Sequence, residues 1–296
     1  MYPFGKGRSR LYPYLFLLLP LSLYVAFLFG PSVFTVIFSF TDVTSVPGQG
    51  FSFVGLDNYK EIFFSSNTPE RYAAIQRTIY FAIVVTVIQN SVGLLMALVL
   101  NQKLKGDKFF RSVFFIPVLL GVTVVGLIWQ LMFNPINGPV QKIYGLFGYS
   151  DTFFGNFEHA FEYIMFVQIW MYMGYSMLIF LAGLQTVPKD LYEAAYIDGA
   201  NSWQSFKNIT FPMIAPAFTV NILLSIIGAL QTYDIIIVLT RGNFNTSTIG
   251  FDVYSETFRS NTIDLGLPAA LSMIQFLIVL IFVVVSQHYL RKREVG

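Results

Sequence analysis

The chain has 296 residues, of which 55% are hydrophobic and only 11% are charged, whereas about a quarter of the residues in soluble domains are charged. This composition excludes an ordinary soluble domain and indicates a protein of the lipid bilayer. The net charge is only +2, and the basic residues are scattered over loops, so nucleic-acid binding is not expected. Because cysteine is absent, disulfides, thiol catalysis and cysteine-ligated metals are excluded.

The first apolar run covers residues 11–40 and follows Lys6, Arg8 and Arg10. A signal peptide has an apolar region of about 7–15 residues followed by a small-residue cleavage site. This run is far longer and has no evident site of that kind. We therefore predict a retained membrane helix.

Six stretches are long and apolar enough for a helix that crosses the hydrocarbon core, which takes about 20 residues. They are residues 11–40, 73–100, 112–133, 161–184, 213–240 and 263–290. The sequence therefore predicts an all-α membrane protein with six transmembrane helices in a single domain over 1–296. The longest inner loop of this topology is 185–212.

The distribution of Lys and Arg predicts the orientation. With the N-terminus inside, twelve of the 18 lie on the inner face: Lys6, Arg8, Arg10, Lys103, Lys105, Lys108, Arg111, Lys189, Lys207, Arg291, Lys292 and Arg293. The outer face keeps Lys60, Arg71, Arg77, Lys142, Arg241 and Arg259. This bias follows the positive-inside rule, so both termini and the loop 185–212 are predicted to be cytoplasmic.

The loop 185–212 has the pattern of a helix, a break and a second helix. Pro188 is suited to the first turn of a helix, and Gly199 permits that helix to stop or bend. Asn201 or Ser202 can then cap the second helix. The small side chains of this loop would allow close approach of another protein surface, so a docking element is one prediction. The alternative is a helical hairpin that lies on the membrane surface and only connects two spans.

The same segment resembles, position by position, the EAA loop of permease subunits of binding-protein-dependent ABC importers. The matching positions are Glu193, Ala194, Ala195, Asp198, Gly199, Ala200, Phe206, Ile209, Pro212 and Pro216. Other stretches, such as "FVGLDNYKEIF" and "LNQKLKGDKFFRSVFFIPVLL", resemble the sugar-importing branch of the maltose and glycerol-phosphate type. The similarity covers essentially the whole chain, and its departures, such as "RGNFNTST" in place of Gly-Gly-Pro, lie in predicted outer loops.

The resemblance implies a type I ABC importer permease fold in the plasma membrane of a bacterium or archaeon. It also implies a second, homologous permease subunit, two ATP-binding subunits and an extracellular solute-binding protein as partners. The residues implied to seat in a cleft of the ATP-binding subunit are Glu193, Ala194, Ala195, Asp198, Gly199, Ala200, Phe206 and Pro212. Because the chain contains no phosphate loop, we expect ATP and Mg on the partners, with no cofactor, metal or catalytic residue in this chain.

Polar residues at membrane depth are candidates for the path of a sugar, which needs hydrogen bonds for its hydroxyls and a surface for its ring. In the fourth span they share one helix face, and in the fifth they lie on or near another. The eight are Gln168, Tyr172, Tyr175, Ser225, Gly228, Gln231, Thr232 and Asp234. The alternative is that these side chains only hold the membrane helices together.

Two other classes of membrane protein remain as alternatives. An intramembrane protease would pair a serine such as Ser176 with a histidine, but His159 and His288 are predicted in an outer loop and at the inner end of the last span. A secondary carrier usually shows inverted repeats with broken helices, and we find no convincing internal repeat.

Overall fold

The computed structural model describes residues 12–46, 48, 50–102, 105–258 and 264–294. Within these ranges the regular structure is helical, and strand pairing is limited to isolated bridges between Thr41 and Phe53 and between Thr44 and Asp264. Five basic residues used for the predicted orientation lie outside the described residues: Lys6, Arg8, Arg10, Lys103 and Arg259. The same holds for the first residue of each of the predicted spans 11–40 and 263–290.

The described residues before the predicted cytoplasmic loop form eight α-helices. A π-helical segment, Val25–Phe29, joins the first two into one continuous rod. The helices are α1 (Tyr12–Tyr24), α2 (Gly30–Phe38), α3 (Asp57–Phe64), α4 (Thr68–Asn101), α5 (Asp107–Leu119), α6 (Val122–Met132), α7 (Pro139–Leu146) and α8 (Ala160–Gln185).

The remaining part contains shorter helices and one long C-terminal helix. They are α9 (Lys189–Ile197), α10 (Ser202–Ser205), α11 (Phe211–Met213), α12 (Ala215–Leu230), α13 (Asp234–Leu239), α14 (Ile249–Phe258) and α15 (Gly266–Glu294). A π-helical segment, Phe206–Thr210, makes α10 and α11 one continuous helix, here called the 202–213 helix.

Among the described residues, four helical segments are long and apolar enough to cross a membrane: Phe16–Phe38, Thr68–Asn101, Ala160–Gln185 and Gly266–Leu290. Two bent pairs raise the number to six if each pair is one span. These are α5 with α6, at 101°, and the 202–213 helix with α12, at 68°. Apart from the two isolated bridges, the regular structure of the described ranges is thus helical, with between four and six candidate spans.

The third and fifth predicted spans differ from the structure. The stretch 112–133 is not one helix, because α5 ends two residues after Pro117 and the chain is extended at Leu120 and Gly121 before α6. Pro117 lies inside α5, where its missing N–H removes a bond to the preceding turn, and the chain leaves the helix at Leu120. The stretch 213–240 is α12, a non-helical segment at Gln231–Tyr233 and the short α13.

Contacts divide the chain into two compact units. One comprises the chain up to Thr68 together with Ser255–Ile274, and the other comprises Pro69–Tyr254 together with Gln275–Gly296. The organisation as a single permease domain stays a prediction.

The first unit is held by polar contacts around Asn58, which is 7% exposed. Its Nδ2 donates hydrogen bonds to the backbone oxygens of Ser39, at 3.1 Å, and Thr41, at 2.9 Å. The Tyr59 hydroxyl donates to Ser39 Oγ at 2.9 Å. These bonds fix the start of α3 against the end of the α1–α2 rod.

The described residues of the second unit form two apolar clusters. The larger is rich in aromatic and branched side chains from α4, α6, α8, α12 and α13, with the fully buried Phe81, Phe153, Ile164 and Ile236 among its members. The smaller joins the C-terminal parts of α4 and α8 to Ile214, at the bend before α12. The second cluster therefore lies where the loop after α8 begins and ends.

Candidate functional site

The predicted cytoplasmic loop begins with α9, and its end has a defined geometry. Pro188 is the N-cap residue, as its missing N–H allows. Gly199 follows the helix with φ of +80°, its N–H donates to Tyr196 O at 3.1 Å, and Ala200 N–H donates to Ala195 O at 2.9 Å. This pair of bonds is a Schellman motif, which needs a left-handed residue and so favours glycine. The predicted break at Gly199 is therefore present.

The 202–213 helix starts with a capping box. Asn201 Oδ1 accepts the N–H of Gln204 at 2.9 Å, and Gln204 Oε1 accepts the N–H of Asn201 at 2.8 Å. Asn201, and not Ser202, is therefore the cap. The predicted boundary at Pro212 is shifted, because the helix continues through Pro212 to Met213 and bends only at Ile214.

The outer face of this loop is exposed, including its apolar residues. Tyr196 and Ile197 are 82% and 83% exposed, and Trp203 is 68% exposed. Of the eight predicted docking residues, Glu193, Ala194, Asp198, Gly199 and Pro212 are exposed, and Ala195, Ala200 and Phe206 are half-buried. The Glu193 carboxylate forms no ion pair within the described part of the chain. The structure thus presents these eight residues on one continuous segment, and five of them are exposed.

The inner face of the loop is joined to the membrane helices by aromatic rings. Phe206 contacts Phe211 with ring centroids 6.1 Å apart, Phe211 contacts Phe218 of α12 at 5.5 Å, and Phe218 contacts Phe180 of α8 at 5.8 Å. The hydroxyls of Tyr192 and Thr210 also share a hydrogen bond of 2.9 Å between α9 and the 202–213 helix. A displacement of the loop would therefore be transmitted to both α8 and α12, since close-packed side chains transmit strain.

The second unit also contains a cavity of about 430 Å³, within the usual range for small-molecule sites. Its walls come from α4, α5, α8 and α12, together with the non-helical segment Gln231–Tyr233 and the first residue of α13. Apolar contributions include Val85, Val118 and Leu224.

All eight residues predicted for the solute path lie on the wall of this one cavity: Gln168, Tyr172, Tyr175, Ser225, Gly228, Gln231, Thr232 and Asp234. The structure thus brings together two helix faces that are about fifty residues apart in the sequence. Gln168 is only 9% exposed, and its amide has no hydrogen-bond partner among the described residues. Its polar atoms therefore remain available to a ligand in the cavity.

The hydroxyls of Ser225 and Thr232 form hydrogen bonds with other residues of the fold. Ser225 Oγ accepts from Asn90 Nδ2 at 2.7 Å and donates to Asn221 O at 2.7 Å. Thr232 Oγ1 donates to Gly228 O at 2.9 Å. These two residues therefore line the cavity and also form hydrogen bonds within the fold, so both predictions made for them are compatible with the structure.

Sequence analysis missed several cavity residues, among them Gln89, Asn221 and Tyr233. Asn221 lies one turn before Ser225 on the same face of α12, so the spacing that selected Ser225 and Gly228 also covers it. Gln89 is a polar residue within the second predicted span, and its polarity at membrane depth is enough to make it a candidate for the solute path.

The non-helical segment between α12 and α13 is held by side chains from elsewhere in the second unit. Gln275 Nε2 donates to Leu230 O at 3.0 Å, and Thr248 Oγ1 donates to Thr232 O at 3.0 Å. Non-helical backbone at membrane depth is tolerated where it lines a cavity and its polar groups are paired. This bracing fixes the positions of Gln231, Tyr233 and Asp234 on the cavity wall.

Ser176 also reaches the cavity, but its partners do not make it a nucleophile. It is 1% exposed and accepts a hydrogen bond from Gln89 Nε2 at 2.8 Å, while its backbone oxygen accepts from Asn221 Nδ2 at 3.0 Å. No histidine among the described residues bonds to it. In the same ranges, no group of three or more His, Asp or Glu side chains is placed to hold a metal ion.

Known proteins resemble this chain over most of its length. Residues 89–295 match the family described as "Binding-protein-dependent transport system inner membrane component". The "Probable starch degradation products transport system permease protein AmyD" of Thermoanaerobacterium thermosulfurigenes is 32% identical, with 90% of this chain and 89% of that protein aligned. The "Trehalose/maltose transport system permease protein MalF" of Thermococcus litoralis is 34% identical, with 95% and 94% aligned.

Solved structures show the same fold. A chain of a bacterial ABC transporter "involved in the import of the acidic polysaccharide alginate" superposes with a TM-score of 0.82. It is 21% identical and covers 96% of this chain, with 96% of its own length aligned. At that identity, the likeness concerns the arrangement of the helices.

Proposed function

The chain belongs to the family of binding-protein-dependent transport system inner membrane components, and from this membership we propose that it is a pore-forming permease subunit of an ATP-driven sugar importer. Its relatives are transport permeases and not enzymes. An intramembrane protease is incompatible with this family, and a secondary carrier would leave the exposed loop between α8 and α12 without a role.

A sugar or oligosaccharide is the proposed solute. The names of the relatives at 32% and 34% identity refer to starch degradation products and to trehalose and maltose. The cavity supports this class, because its wall offers tyrosine hydroxyls, amides and ring surfaces, which pair with sugar hydroxyls and pack on sugar rings. In the proposed function the eight predicted residues contact the solute during its passage.

The proposed assembly contains a second, homologous permease subunit, two ATP-binding subunits that hold ATP and Mg, and an extracellular solute-binding protein. This chain lies in the plasma membrane with both termini and the loop after α8 in the cytoplasm. Loaded binding protein and ATP would both favour the outward-facing arrangement of two states.

The exposed surface of α9, Gly199 and the 202–213 helix is the observation that supports coupling to the ATP-binding subunit. Glu193 offers an unpaired carboxylate on this surface, beside exposed Ala194 and the exposed rings of Tyr196 and Trp203. A basic cleft on the partner would pair with the carboxylate and cover the apolar side chains. The aromatic contacts from Phe206 to Phe180 would carry the movement to α8 and α12.

The test is to co-purify the chain with its permease and ATPase partners and to measure ATP hydrolysis in liposomes with loaded binding protein. We expect Glu193→Lys combined with Gly199→Asp to abolish assembly, or to lower the stimulated hydrolysis at least about tenfold, a coupling loss of about 1.4 kcal/mol. The matched control is Asp190→Asn, which changes another exposed acid of α9 outside the predicted docking set.

If the double variant assembles and hydrolyses ATP like the wild type, the loop is only a connector and the coupling proposal fails. Loss of the phosphate-loop lysine in the partner ATPase separates the classes of transporter. Uptake that persists without that lysine would contradict an ATP-driven importer and favour a secondary carrier.

A further inference from the structure

The side chains on the cavity wall include an acidic residue and no basic one among the described residues. Asp234 is the one Asp or Glu among the described residues that line it, and no Lys, Arg or His of the described chain does so. The other polar contributors are hydroxyls and amides, such as Tyr172, Tyr175 and Gln168. A negatively charged solute would therefore meet a carboxylate on this wall and no cation.

Asp234 is placed so that its charge acts on the cavity. It is the first residue of α13, and its side chain is exposed. It directly follows the non-helical segment at which backbone oxygens accept hydrogen bonds from Gln275 and Thr248. Its Oδ1 accepts the N–H of Ile235 at 2.8 Å. It forms no ion pair within the described part of the chain. The carboxyl group is thus held in a fixed position, with no basic side chain of the described residues paired with it.

The remaining groups favour a solute with hydroxyls. The amide of Gln168 and the hydroxyls of Tyr172 and Tyr175 have no partners among the described residues. Each can donate and accept, as can a sugar hydroxyl. Tyr233 lines the cavity, and its ring stacks with that of Tyr254 at a centroid separation of 6.0 Å and an interplanar angle of 27°.

We propose that this cavity selects uncharged, hydroxyl-bearing solutes and disfavours anionic ones, such as sugar phosphates and uronates, and that Asp234 determines this selection. The inference rests on the proposed function, because it takes the cavity to be the solute path. The fold itself does not determine the charge preference, since a transporter of an acidic polysaccharide has the same arrangement of helices. The side chains on the wall determine it.

The absence of cysteine allows the electrostatic potential of the cavity to be measured without knowing the solute. Gly228 lies on the wall, and a Cβ built there meets no atom within 4 Å. Gly228→Cys therefore places a single thiol in open space. The probes are three methanethiosulfonate reagents that are neutral, cationic and anionic, applied to the assembled transporter in membrane vesicles, with modification of this chain followed by mass spectrometry.

We expect the cationic reagent to react with the thiol at 228 about tenfold faster than the anionic one, relative to their rates with a free thiol in solution. Adding Asp234→Asn should bring this ratio close to one. Asn keeps the oxygen that accepts from Ile235, so the local structure is preserved. The ratio is used because a nearby carboxylate also raises the pKa of the thiol, which slows all three reagents alike.

Two controls isolate the effect of Asp234. Asp57→Asn removes an exposed acid that pairs with Lys60 far from the wall residues in sequence, and it should leave the ratio unchanged. A thiol at the exposed residue Tyr149, outside the cavity lining, should not respond to Asp234→Asn. If Gly228→Cys does not assemble, Gln231→Cys supplies a second thiol at an exposed wall position.

The two proposals fail in distinguishable ways. If the thiol reacts and Asp234→Asn does not change the ratio, the charge selection is overturned and the solute path stands. If the thiols at 228 and 231 react with none of the reagents, with or without ATP, the cavity is closed to water and the solute path is overturned along with the selection.

Discussion

At the scale of single residues, two glycines in membrane helices have opposite surroundings. A Cβ at Gly174 of α8 would lie 1.8 Å from the backbone oxygen of Phe114 in α5, whereas a Cβ at Gly228 meets nothing within 4 Å. Gly174 therefore permits the close approach of two helix backbones, which neither side can relieve by moving a side chain. Gly228 instead leaves free space in the cavity.

We expect Gly174→Ala to destabilise the fold by about 1–3 kcal/mol or more, because α5 and α8 must separate. Gly228→Ala should be neutral or stabilising, since alanine is favoured over glycine within a helix by about 0.5–1 kcal/mol. Thermal unfolding in detergent, followed by size-exclusion chromatography, measures both. Equal unfolding temperatures for the two variants would contradict the packing described here.

A second residue-scale feature is the carboxylate of Asp151, in the loop before α8. It accepts hydrogen bonds from the hydroxyl of Tyr163 at 2.6 Å, from Asn156 Nδ2 at 2.8 Å and from the N–H of Phe153 at 2.9 Å. Burial by itself would raise the pKa of Asp151, but these bonds to the ionised form outweigh it, and the pKa lies below its ordinary value.

Because the pKa of Asp151 is lowered in the folded state, its contribution to stability is present above about pH 4, the ordinary value for aspartate, and is lost as the pH falls through the folded-state pKa. We expect Asp151→Asn to unfold at a lower temperature than wild type at pH 7, with a difference that shrinks below about pH 4. Glu158→Gln, at an exposed acid of the same loop, is the control. A difference that does not depend on pH would argue against this role.

At the scale of elements, the 202–213 helix depends on its capping box. Asn201→Ala removes the acceptor for the N–H of Gln204 and leaves that helix end unpaired. The expected cost is about 0.5–2 kcal/mol of local stability, or about fivefold faster amide exchange for each kcal/mol. Hydrogen–deuterium exchange of residues 202–213 checks this. Ser202→Ala, at the next exposed position, should leave the exchange rates unchanged.

Also at this scale, the break between α12 and α13 shows how a helix can be interrupted beside a cavity while backbone oxygens at the break stay hydrogen-bonded. The backbone oxygens of Leu230 and Thr232 accept from Gln275 and Thr248, which replace helical donors. The interruption is therefore stabilised by hydrogen bonds from these two side chains, and Tyr233 and Asp234 beside it line the cavity.

At the scale of the whole molecule, much of the apolar surface is not covered by the chain itself. In the most hydrophobic 18-residue stretch of Phe16–Phe38, none of the residues is buried. In the corresponding stretch of Gly266–Leu290, only 17% of the residues are buried. In water this surface would aggregate, so lipid or other subunits must cover it. The exposed apolar surface is thus that of an inner membrane component.

The proposed orientation makes a prediction at the same scale. Single thiols at the exposed residues Tyr149 and Ser202 lie on opposite sides of the membrane in the proposed topology. In right-side-out vesicles, we expect a membrane-impermeant maleimide to label Tyr149→Cys directly and Ser202→Cys only after permeabilisation. The reverse pattern would place the loop after α8 outside and would separate it from any cytoplasmic ATPase.

The sequence by itself determined what depends on neighbours along the chain. Six apolar stretches reveal the membrane environment, and the order of Pro188, Gly199 and Asn201 predicts the helix, break and helix of the loop. Helical spacing also placed Gln168, Tyr172 and Tyr175 on one face. These features follow from local geometry and capping, which act over a few residues.

Only the tertiary structure decided which faces meet. It joined the faces of α8 and α12 around one cavity, bent the third span at Gly121, interrupted the fifth at Gln231 and added Gln89 and Asn221 to the wall. Hydrophobic periodicity tells that a face is turned inward and not which helix lies opposite. That choice depends on close contacts such as Gly174 against Phe114 and on bonds such as Gln275 to Leu230, whose partners are distant in sequence.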